Sequence, residues 1–91
     1  MYSTKFNDHK SAQAQINHYR DGRTTLQSYN TELVEVKDGW IKVLILWDSN
    51  TSRRHMGWFA KLYNLDYQTL KSLALNDYMM NVETGEVMAI A

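Results

Sequence analysis

The Asp38-Gly39 pair, set between two apolar runs, restricts this chain more than any other feature of its sequence. Both central residues of a type I′ turn need positive φ, and Asp-Gly supplies them at low cost. A two-residue turn fixes the register of the strands beside it. Val36 then faces Ile41 and Val34 faces Val43 on one apolar side. On the other side Glu35 meets Lys42, and Leu33 meets Leu44. Opposite charges falling cross-strand support a register that the turn alone dictates. The spacing predicts strands over roughly 29–37 and 40–47 at the centre of the fold. Trp40 to Trp47 is apolar on both sides of the pleat, so this strand calls for cover on both.

The rest of the pattern is read around that hairpin. Asn7 or Asp8 can cap a helix in which Ala12, Ile16 and Tyr19 recur at helical spacing, with Gly22 as its left-handed stop. Beyond the hairpin, Asp48 to Ser52 is a run of capping residues, of which Ser49, Thr51 or Ser52 can close the first turn. Met56, Phe59, Ala60 and Tyr63 follow at i, i+3, i+4 and i+7, predicting a helix over about 51–64 with Asn64 as its stop. Asp66 caps a second helix, to about residue 76, with Leu70, Leu73 and Leu75 facing inward. Tyr78-Met79-Met80 and Val87 to Ile90 flank a loop in which Gly85 offers positive φ, predicting a last hairpin. The expected architecture is α+β: N-terminal helix, central antiparallel β-hairpin, two short helices and C-terminal β-hairpin. It forms one domain over 1–91, with its core in 28–76.

Composition narrows the function classes. Ten basic and ten acidic side chains cancel, so the chain as a whole is neither a strongly basic nucleic-acid binder nor an acidic DNA mimic. The charge is uneven, because residues 65–91 hold four acidic side chains against Lys71 alone. With no cysteine there is no disulfide framework and no thiolate metal site. The longest apolar run, Val43 to Trp47, is too short to span a bilayer, and no apolar stretch follows Lys5 and Lys10 as in a signal peptide. The expected location is the cytoplasm.

Ser28-Tyr29-Asn30-Thr31, followed by Trp47 and by Ser49-Asn50-Thr51-Ser52-Arg53-Arg54-His55 with Phe59 four residues on, resembles a family of small phage- and plasmid-borne proteins. That family shows a Ser-Tyr-x-Thr start, two strands, and then Ser-x-Thr-Thr-x-Arg-His with a later aromatic. Ser52 stands where the family favours threonine and keeps the hydroxyl. The resemblance covers about a third of the chain and implies a mobile-element source. The family has no settled function, so it implies little chemistry.

The motif has a structural account, which is preferred: a capped helix, with His55 and Phe59 one turn apart over the hairpin and Arg54 bracing strand ends or Glu32. The functional account has Arg53, Arg54 and His55 protruding beside a helix N-terminus, with Trp40 exposed at the rim of the sheet. Catalysis finds no support in dispersed His9, His18 and His55, and no metal or cofactor is expected. Residues 59–73 also resemble a helix-turn-helix. In that alternative, Tyr67, Gln68, Thr69 and Lys71 reach into the major groove of DNA, and the last hairpin serves as a wing. The favoured expectation is a non-enzymatic accessory protein that binds a host or phage macromolecule, inhibition of a host defence or regulatory protein being its simplest form.

Overall fold

The computed structural model describes residues 2–5, 14–46 and 49–90. It contains a seven-stranded antiparallel sheet whose strands lie side by side in chain order. These are β1 (Tyr2–Lys5), β2 (Ala14–His18), β3 (Thr24–Ser28), β4 (Thr31–Lys37), β5 (Trp40–Val43), β6 (Tyr78–Asn81) and β7 (Val87–Ala89). Two helices, α1 (Asn50–Lys61) and α2 (Tyr67–Asn76), stand between β5 and β6. They pack on β3, β5 and β6 and cover one side of the sheet.

This overturns the expected layout. No N-terminal helix occupies 14–22, and the segment 6–13, where its cap was expected, lies outside the described residues. Residues 14–18 form β2, paired with β1 through Ile16↔Thr4 and with β3 through Ile16↔Leu26. Ile16 and Tyr19 suit a helical period, but Ala14 and Ile16 against Gln15 and Asn17 suit a period of two equally well. The tie goes to the element with a neighbour to pair with. Gly22 (φ +93°) ends the three-residue loop of a β2–β3 hairpin, closed by Tyr19 N–H to the Arg23 carbonyl at 2.8 Å. Asp21 lies outside the positive-φ region that Asp38 occupies, so the two Asp-Gly pairs close their hairpins by different turns.

The Asp38-Gly39 turn has φ +54° and +83°. It pairs Val36 with Ile41, Glu35 with Lys42 and Val34 with Val43. These strands are the fourth and fifth of seven, not a free-standing centre. Strand β5 ends at Val43, where the Leu33 carbonyl accepts from both Leu44 N–H (2.7 Å) and Ile45 N–H (3.2 Å). Leu44 and Ile45 lie exposed beyond that end. The last hairpin is continuous with the same sheet, since β6 pairs with β5 through Trp40↔Asn81 and Ile41↔Met80.

A bulge in β4 sets the two faces of the sheet. Leu26 pairs with Val34 but Gln27 pairs with Glu32, leaving Leu33 as the extra residue. Glu32 has the strand parity of Val34 and Val36, so an unbroken strand would turn its carboxylate into the core. The bulge returns it to the opposite face and leaves Leu33 buried with Val34. The core joins Ala14, Ile16, Leu26, Leu33, Val34, Val36 and Ile41 to Met56, Phe59, Ala60, Leu70 and Leu73 of the helices. It thus reaches beyond the stretch 28–76.

Candidate functional site

The two halves of the family-like motif meet in space. Ser49 caps α1, its hydroxyl accepting from Ser52 N–H at 3.1 Å, and His55 lies one turn further on. The ring of His55 is buried, with Nδ1 2.9 Å from the Ser28 hydroxyl at the end of β3. Ser28, Tyr29, Thr31, Leu33, Ser49 and Ser52 line a cavity of about 210 Å³ between the β3–β4 turn and the helix start. Tyr29 sits in that turn at φ +55°, an uncommon conformation for an aromatic residue. The Ser28 hydroxyl joins β3 to α1 through His55, while the Ser49 hydroxyl donates to that of Ser52 at 3.0 Å within the cap of α1.

The four expected contact residues do not form one surface. His55 is interior. Arg53 and Arg54 are exposed on α1 and have other interactions within the chain. Trp40 lies on the other side of the sheet: Ile41 faces the helices, so Trp40 and Lys42 point away from them. There Trp40 borders a shallow cavity of about 210 Å³ with Glu35, Lys37, Asp38, Lys42 and Met79.

The helix-turn-helix residues are likewise divided. Asn64 has φ +62° between the helices, as that motif requires. Of Tyr67, Gln68, Thr69 and Lys71, only Gln68 is exposed. The Tyr67 hydroxyl is buried, and Thr69 gives both its N–H and its hydroxyl to Asp66 Oδ1 at 2.8 Å. Successive helix positions diverge by about 100°, so 67, 68, 69 and 71 cannot share one face.

Sequence reasoning missed a polar network on the helix-free face. Asn17 Oδ1 accepts from Ser3 (2.7 Å) and Gln15 (2.8 Å), while its amide donates to Gln27 (3.0 Å) and Glu32 (3.1 Å). Tyr19 donates to Glu32 at 2.6 Å, and the Thr25 hydroxyl donates to the same oxygen. Burial pushes the Glu32 carboxyl up, but the bonds from Thr25, Tyr19 and Asn17 and the charge of Arg23 outweigh it, and it titrates below its ordinary value. The Tyr19 hydroxyl is correspondingly raised, chiefly by its bond to Glu32. The available signal was the alternation of Gln15, Asn17 and Tyr19 with apolar Ala14 and Ile16. Among the described residues no cluster of three potential ligands could hold a metal ion.

A third region lies where β7 closes the sheet. Val87, Met88 and Ile90 are 44%, 46% and 37% exposed, and Leu75 of α2 is 66% exposed instead of facing inward. An open groove of about 580 Å³ runs between α2 and the last hairpin, lined by Asp66, Gln68, Ser72, Leu73, Met80 and Val87 among others.

Compared with protein-family models, curated proteins and solved structures, the chain finds no match. No helix among the described residues is long and apolar enough to cross a membrane.

Proposed function

We propose that this domain is a non-enzymatic accessory protein of a phage or related element, working in the host cytoplasm by stoichiometric binding to a host or phage macromolecule. Its simplest form is inhibition of a host defence or regulatory protein. One observation carries the reading: the apolar surface gathered at the β7 end, where Leu75, Tyr78, Val87, Met88 and Ile90 are all exposed. Val87 and Met88 face opposite sides of the pleat, so this end offers exposed apolar side chains on both faces of the sheet, a feature of interaction sites. The mobile-element source rests on the motif at 28–59. Arg53 and Arg54 supply a second, cationic surface. Trp40 supplies a third, while His55 contributes by holding α1 in place.

The test is affinity capture from host lysate with the purified chain, followed by measurement of stoichiometry by light scattering. A one-to-one complex that Val87→Lys abolishes supports the reading, and absence of any stoichiometric complex sinks it. The alternative is DNA binding through the α1–α2 pair, favoured by left-handed Asn64. It is checked by retention of labelled duplex at about 50 and 200 mM salt, since a groove reader loses affinity steeply between them. The acidic stretch 65–91 weighs against retention.

A further inference from the structure

We infer that β7 is a docking edge for β-strand addition by a partner segment in which apolar residues alternate with lysine or arginine. The inference rests on the binding reading above and names the chemistry of its site. Asn81 N–H bonds to the Glu86 carbonyl (2.7 Å) and Ile90 N–H to the Asp77 carbonyl (2.9 Å). In an antiparallel ladder hydrogen-bonded and non-hydrogen-bonded pairs alternate. Met79↔Met88 is therefore bonded, whereas Met80↔Val87 and Tyr78↔Ala89 are not. The N–H and C=O groups of Val87 and Ala89 consequently point away from β6, off the end of the sheet.

Sheet edges are ordinarily guarded by lysine, proline or a covering element. Among the described residues this one carries none of these along Val87–Ile90, and it is apolar on both sides of the pleat. Val87 borders the groove beside Leu73 and Met80, which can receive the apolar side chains of an added strand. Main-chain bonds supply affinity in such additions and alternate side chains supply selectivity.

Charge identifies the occupant. The segment 77–90 holds Asp77, Glu83 and Glu86 and no basic residue, and Asp66 stands on the far wall of the groove. A second copy of β7 would set these like charges side by side. A basic strand meets opposite charge beside both ends of β7, from Glu86 before it and from Asp77, whose carbonyl accepts from Ile90 N–H.

The experiment is fluorescence anisotropy of the full chain with two labelled nonapeptides, one alternating valine with lysine and one alternating valine with glutamate. The lysine peptide should bind at least tenfold more tightly. N-methylation of alternate peptide residues, which removes strand donors without touching charge, should abolish binding. The Ala89 N–H faces the free edge, so Ala89→Pro leaves the β6 ladder intact; it should weaken binding tenfold or more with an unchanged melting temperature. Equal affinity for the two peptides, or binding indifferent to N-methylation, overturns the inference. Concentration-dependent dimerisation that Ala89→Pro removes overturns it in favour of a second copy. If the captured partner is lost on Val87→Lys while the lysine peptide fails to bind, strand addition falls and the binding reading stands.

Discussion

Glu32 owes its position to a bulge of a single residue, and the consequences reach the pH dependence of the whole fold. Its carboxyl titrates below the ordinary value in the folded chain, so the folded state binds fewer protons than the unfolded one across that interval. The stabilisation is complete above the unfolded value, near about 4.3, and is lost as pH falls through the lower folded value. Urea midpoints measured from pH 6 down to pH 3 should therefore drop for the native chain, and Glu32→Gln should drop less steeply. A residual slope is expected, because Asp21 and Asp66 are also held low, each first by a backbone N–H bond. At the opposite face, Ser28→Ala removes the bond to buried His55 and should cost about 1–2 kcal/mol in urea denaturation. Neither position could be read from the chain alone. The parity of Glu32 pointed it inward, and nothing near Ser28 in sequence reveals that His55 comes to meet it.

Turns and caps were the most legible elements, because their chemistry is local. Asp38-Gly39 determines which residues of β4 and β5 face each other, and Ser49 and Asp66 accept from Ser52 N–H and Thr69 N–H in the first turns of α1 and α2. Ser49→Ala should cost about 1 kcal/mol, read as a lowered urea midpoint with an unchanged slope. Gly22 and Gly39 both lie at positive φ with no close neighbour for an added Cβ, Gly22 having nothing within 4 Å. Alanine at either should thus destabilise through the backbone alone, by roughly 1–2 kcal/mol, in equilibrium unfolding. The strand β2 was the element least legible. Five residues hold too few repeats to separate a period of 2 from one of 3.6, and β1 and β3 decide between them by offering hydrogen bonds.

For the whole molecule, every strand neighbours its predecessor in sequence, so the sheet is built from local pairings with one helical excursion between β5 and β6. The apolar core lies under the helices, and Leu26, fully buried at its centre, should cost about 2–5 kcal/mol when replaced by alanine. Amide exchange by NMR should be slowest at Leu26, Val34 and Val36 and rapid at Val87 and Ala89, whose N–H groups face off the sheet. The β7 residues were recognised as a strand, but their exposure depends on how far α2 extends across the sheet. The amino-acid sequence by itself determined the Asp38-Gly39 turn, the Asp66 cap, the pairing of β4 with β5 and the apolar stripe of α1, since each depends on residues within a few positions of one another. Only the tertiary structure decided that seven strands form a single sheet, that Trp40 and the arginines fall on opposite sides of it, and that β7 lies at its edge. Pairing between strands and cover by helices are set by partners distant in the chain, and short segments with two admissible periods take whichever conformation those partners satisfy.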